Sequence, residues 1–229
     1  MSRPALTTLA LVAFCTLTVS AQAAVVAESY STGGTATSTA SGRGNTDIRA
    51  ISAASNGGVA RANMSGSGRN GGRATGTAIA AANGGFAQAN GRSNARGWNA
   101  RSNTDVIAGT NGGVAIANGS SRARGNASAN SMSGAFSNRG VAISDSQANA
   151  SGYWGGRGVA DSTAISSTNN GFSNSRSRAN ANGLLFGNAR SESGAYSVGG
   201  NGFRNSSATA NSSAIFFGNS RSQAFDRNW

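Results

Sequence analysis

Large apolar residues are sparse in this chain, yet they recur at fixed intervals. A glycine followed by an apolar residue occurs at Gly58-Val59, Gly85-Phe86, Gly113-Val114, Gly140-Val141, Gly171-Phe172 and Gly202-Phe203, in steps of 27, 28, 27, 31 and 31 residues. Gly34-Thr35 is a degenerate earlier copy. A second series, Ile51, Ile79, Ile107, Phe136, Ile165, Tyr196 and Phe225, advances by 28, 28, 29, 29, 31 and 29. A third and patchier one holds Trp98, Trp154, Leu185 and Phe216. Three series that share one period mark a structural repeat, because compositional drift would not keep them in phase.

Within each repeat the pattern reads as strand. Val114-Ala115-Ile116 and Val141-Ala142-Ile143 place their large residues two apart, on one face of an extended segment. Asn-Gly pairs such as Asn56-Gly57, Asn83-Gly84, Asn111-Gly112 and Asn182-Gly183 separate these runs. Asn-Gly accepts positive φ at both positions and marks a tight turn. Glycine costs roughly 1 kcal/mol in a helix interior, so 34 glycines in 229 residues argue against long helices.

These elements predict an all-β, repetitive β-solenoid, a stack of strand–turn–strand (amyloid-like) layers of about 28–31 residues. About seven repeats are expected from residue 33 on. Strands stack at about 4.8 Å, so seven layers make a rod on the order of 35 Å long. Residues one period apart then form ladders, with aliphatic and aromatic side chains expected inside and Asn and Ser in hydrogen-bonded rows.

Composition shapes this picture further. The first 23 residues read as a signal peptide. Arg3 supplies a positive start, Ala5–Val19 an apolar stretch too short to span a bilayer, and Ala21-Gln22-Ala23 a small-residue cleavage site. Residues 24–229 are then the repetitive Gly/Asn/Ser/Ala-rich region, secreted to the extracellular space or cell surface. That region lacks His, Lys, Cys and Pro, so it offers neither disulfides nor His/Cys metal sites. It holds no apolar stretch long enough to span a membrane as a helix. Seven acids, Glu28, Asp47, Asp105, Asp145, Asp161, Glu192 and Asp226, lie far apart in sequence, and no serine has a histidine to activate it. We expect no catalytic residues, no cofactor and no enzymatic activity.

Energetics favour assembly. Ordering a residue costs about 1–2 kcal/mol of backbone entropy, and a large apolar side chain returns roughly 1.5–3 kcal/mol. Three such side chains per layer are too few, so paired backbone and small-residue zippers must carry the rest, which works best when every edge is covered. The ladder residues Val59, Phe86, Val114, Val141, Phe172, Phe203, Ile51, Ile79, Ile107, Phe136, Ile165, Tyr196 and Phe225 are therefore the candidate self-assembly residues. The expected partner is the chain itself, as a homopolymer, with a surface nucleator or secretion channel.

The C-terminal stretch Gly187-Asn188-Ala189 through Ala214-Ile215-Phe216-Phe217-Gly218-Asn219-Ser220-Arg221-Ser222-Gln223-Ala224 resembles curlin repeats over about the last 45 residues. The resemblance implies a functional amyloid subunit, exported and nucleated at a bacterial surface, with biofilm or adhesion roles. The chain departs from that pattern in holding only three glutamines after residue 23, namely Gln88, Gln147 and Gln223.

Charge adds one further candidate. All 19 basic residues are Arg. Arg69, Arg96 and Arg124 step by 27 and 28, which predicts a stacked row. Such a row repels itself unless an anion bridges it, so extracellular polyanions (DNA, acidic polysaccharide) are candidate partners. Two other functions fit the same composition. One is a monomeric β-solenoid binding a surface such as glycan, polyanion or ice; the other is a disordered cationic secreted protein.

Overall fold

The structure, a computed structural model, describes residues 23–70 and 72–228. The segment read as a signal peptide lies outside these residues except for Ala23, which opens the first strand. The described residues form an all-β parallel solenoid of about seven turns.

Each coil runs out along one face and back along the other. Coil 1 is β1 (Ala23–Thr32) and β2 (Thr35–Arg43); coil 2 is β3 (Thr46–Ser55) and β4 (Val59–Gly68). Coil 3 is β5 (Arg73–Ala82) and β6 (Gly85–Gly97); coil 4 is β7 (Arg101–Thr110) and β8 (Gly113–Gly125). In coils 5, 6 and 7 the chain stays extended through the first bend. Each of those coils is one long strand: β9 (Ser128–Gly152), β10 (Gly158–Leu184) and β11 (Ala189–Ile215). β12 (Ser220–Asn228) begins an eighth coil. The first face stacks β1, β3, β5, β7, the first halves of β9, β10 and β11, and then β12, all parallel. The second face stacks β2, β4, β6, β8 and the second halves of the long strands. The first described coil occupies residues 23–43.

At the first bend, Gly85, Gly113, Gly140, Gly171 and Gly202 stand in one column, with φ between +112° and +148°. A Cβ at Gly113 would run into the carbonyl oxygen of Gly85 below it, and the same collision repeats up the column. Only glycine satisfies both the backbone angle and the approach. Beside it, Asn111 donates to Asn83 (3.3 Å), Asn138 to Asn111 (3.1 Å) and Asn169 to Asn138 (3.5 Å), a ladder of side-chain amides. The second bend is variable, from Asn126-Ala127 to residues 153–157, and this lengthens the period from 27 to 31.

The interior corrects one expectation. Large residues do not fill it; alanine and serine do. The two faces approach so closely that Ser93 Oγ meets both Ser102 Oγ and Thr104 Oγ1 across the interior at 2.6 Å, and Ser133 Oγ meets Ser144 Oγ at 2.7 Å. Side chains of two heavy atoms already span the gap. A row of large inward side chains would force the faces apart and break close packing. The isoleucine, valine and phenylalanine ladders therefore stand on the outer surface, where each side chain is covered by its neighbours above and below.

Candidate functional site

The first ladder is in unbroken register. Val59 pairs with Phe86, Phe86 with Val114, Val114 with Val141, Val141 with Phe172 and Phe172 with Phe203. Its last member, Phe203, is 83% exposed, because none of the described strands lies above it.

The second ladder is in register at Ile51, Ile79 and Ile107, and again at Ile165 and Tyr196. Phe136 and Phe225 do not join it. Gly134 occupies the column between Ile107 and Ile165, and Phe136 pairs with Gly109 instead. Phe225 pairs with Gly194, one step along the face from Tyr196. The reason is steric. The Phe136 ring reclines over Gly134, where an added Cβ would stand 3.0 Å from ring Cε2. The ring fills the ladder position from two residues away. Tyr196 lies over Gly194 in the same manner, at 2.9 Å. A glycine two residues before an aromatic was the sequence signal for this substitution.

The second bend carries the charge. Arg96 stacks on Arg124 where the second face ends. Arg69, exposed, lies one residue beyond Gly68, which pairs with Ala95, so it falls at the foot of the same row. The structure adds residues that periodicity alone missed. Arg73 stacks on Arg101 at the start of the first face, across the bend from the Arg96 row. Arg122 precedes Arg124 by two on the same outer face, and Arg157 is exposed in the bend of residues 153–157. The backbone nitrogen of Arg157 donates to Asn126 Oδ1 (3.3 Å), which ties this bend to the coil below. The missed signal was arginine on both sides of a short bend, as in Arg69 with Arg73 and Arg96 with Arg101. An ion pair joins Arg190 to Glu192 (3.2 Å), three coils farther along the column that holds Arg73 and Arg101. Like charges at strand spacing repel by about 1 kcal/mol in water, and Asp47, diagonal to Arg73 on the same face, is the acid beside them.

The same edge is also aromatic. Trp98 sits in the bend between Arg96 and Arg101 and is 74% exposed. Farther along come Tyr153 and Trp154, then Leu185 and Phe186, then Phe216 and Phe217. Phe186 and Phe217 stack with centroids 5.7 Å apart. Trp154, Leu185 and Phe216, the third periodic series, share a left-handed backbone (φ 51°, 51° and 58°) at this bend.

Acids lie mainly on the outer faces. Asp161 stacks on Glu192. Its carboxyl is held above the ordinary aspartate range by burial first and by Glu192 second, with Arg190 opposing. Burial likewise raises Asp105, against a hydrogen bond from Asn103. Among the described residues no group of three or more His, Cys, Asp or Glu side chains forms a metal-binding cluster.

No protein-family description, no curated protein and no solved structure matches this chain.

Proposed function

We propose that this chain is a secreted structural protein that self-assembles into extracellular fibres or matrix, in the manner implied by its likeness to curlin repeats. The carrying observation is the identity of successive coils. The glycine–apolar ladder runs in register from coil 2 to coil 7 and asparagine amides stack over coils 3 to 6, so a further coil from another copy meets a surface of the same kind. Among the described residues, β1 and β2 are paired on one side only, as are β12 and the second half of β11. Unpaired strand edges favour pairing with another chain, and no proline or lysine stands on them to prevent it. Export would be followed by addition at these edges, with a surface nucleator or secretion channel deciding where growth begins.

The purified chain, lacking residues 1–23, should be incubated and followed by thioflavin fluorescence and X-ray fibre diffraction. Fibres with a reflection near 4.7 Å along their axis are expected. A chain that stays soluble and monomeric with a stable β spectrum would overturn the reading in favour of a single solenoid.

A further inference from the structure

We infer that the arginine-rich edge binds an extended anionic polysaccharide of the polyuronate type, laid along the solenoid axis with about one sugar per coil. Three observations converge on it. First, the arginines form two rails: Arg69, Arg96 and Arg124 on one side of the second bend, Arg73 and Arg101 on the other. Successive members repeat at the strand spacing of about 4.8 Å, close to the advance per pyranose unit in an extended chain. A straight rod of charge therefore stays in phase with a straight polymer carrying one carboxylate per sugar. A DNA duplex would wind its phosphates away from such a row after a short contact.

Second, the cation is guanidinium at every position. Its planar fork takes a carboxylate through two parallel hydrogen bonds, which an ammonium does not. Among the described residues no rail arginine is ion-paired, and Asp47, diagonal to Arg73 on the same outer face, is the one acid beside them, so an arriving carboxylate relieves repulsion as well as making contacts. Third, Trp98 stands exposed in the bend between the two rails. An indole face beside a charged row suits the apolar C–H face of a sugar ring. The site does not depend on polymerisation, since it lies along the side of the rod and not at its ends.

The test is direct binding of the chain to polygalacturonate, measured by calorimetry and salt titration. The comparison ligands are methyl-esterified polygalacturonate at equal sugar concentration, and single-stranded oligothymidylate and duplex DNA at equal charge concentration. The esterified polymer should bind at least tenfold more weakly, and both nucleic acids more weakly than the polyuronate. Replacing Arg96→Gln with Arg124→Gln should cost at least tenfold. Replacing Arg176→Gln with Arg178→Gln, which removes the same charge from the middle of the second face, should change affinity less than about twofold. Trp98→Ala should weaken the polyuronate and leave salt dependence unchanged. Equal losses in the two arginine pairs would reduce the effect to net charge and overturn the site. Nucleic acid binding as tightly as polyuronate would overturn the ligand class. All of these arginines are solvent-facing, and an unchanged β spectrum in each variant confirms that the fold is retained.

Discussion

The two halves of the solenoid solve the same packing problem with different chemistry. In coils 2–4 the inward positions include three large side chains: Ile48, Met64 and Val106. Each is matched by missing atoms opposite or beside it. A Cβ at Gly42 would stand 3.0 Å from Ile48 Cδ1, and one at Gly91 would stand 2.6 Å from Val106 Cγ2. Gly76 leaves room for the Met64 thioether. In coils 5–7 no such residue points inward, and the hydroxyl bridges that coils 3 and 4 also contain continue without one. Ser177 Oγ bonds the carbonyl oxygen of Ser162 (2.7 Å) and the hydroxyls of Ser162 (3.0 Å) and Ser193 (2.9 Å). Ser197 Oγ lies within hydrogen-bond reach of both Ser166 and Ser173. The lesson is that the gap between the faces is the fixed quantity. It is set by the stacked backbone, and side chains of either kind serve if their volumes sum to fit it.

The largest effect should come from charging the apolar half. Val106 is fully buried among alanines. Val106→Asp places a carboxylate there with no cation in reach, which costs at least about 3–5 kcal/mol by analogy with unpaired buried charges. Chemical denaturation followed by circular dichroism should show loss of the cooperative transition. A variant as stable as the parent would show that this interior is wet.

Next in size is a coupled pair. Met64→Ala leaves a void and should cost about 2–4 kcal/mol. Gly76→Ala puts a methyl against the Met64 side chain and should cost about 1–3 kcal/mol. Together they should cost less than the sum, with a favourable coupling of about 1–3 kcal/mol, because the new methyl occupies the space that the thioether leaves. Strict additivity would break the claim that volumes are balanced across the gap.

Much of this was legible in the sequence. The period, the strand class and the in-register ladder from Val59 to Phe203 follow from glycine–apolar spacing alone. What periodicity does not report is direction. A residue repeating every coil forms a ladder whether it faces in or out, and the spacing of Ile51, Ile79 and Ile107 is the same in either case. The alternating alanines and serines held the inside, but small residues look like filler in a glycine-rich chain. The period admits Phe136 and Phe225 to the second ladder for a related reason. Coil length varies at the second bend, so an aromatic two residues off register still falls within the tolerance of the period. The arginine edge was half legible: Arg69, Arg96 and Arg124 repeat, whereas Arg73 and Arg101 join them only once the bend folds the chain back.

A smaller effect should mark the hydroxyl half. Ser177→Ala removes hydrogen bonds to Ser162 and Ser193 but keeps the volume nearly constant. A loss of about 1–2 kcal/mol is expected, well short of the Met64→Ala cost. Thermal unfolding of the two variants in one buffer compares them directly. A Ser177→Ala cost equal to or above that of Met64→Ala would reverse the assignment of which half depends more on packing.

The smallest effect separates two carboxylates on the first face, one in each half. Asp105 in coil 4 is raised by burial, whereas Asp161 in coil 6 is raised by burial and by Glu192 stacked on it. For both, the folded chain holds its proton to a higher pH than the unfolded chain, whose value is near 3.8. Their contribution is therefore most favourable in acid. It is lost as pH climbs from the ordinary aspartate value through the raised one, because the unfolded state ionises first. Asp105→Asn and Asp161→Asn should each raise the melting temperature slightly at neutral pH and flatten its decline above the acid range. Salt should tell them apart. Screening weakens the repulsion between Asp161 and Glu192, both partly open to solvent, and leaves the burial of Asp105 untouched. The gain from Asp161→Asn should shrink as ionic strength rises while that from Asp105→Asn persists. If both gains fell together, repulsion by stacked neighbours would govern both sites, and the distinction between the two halves would not extend to their outer faces.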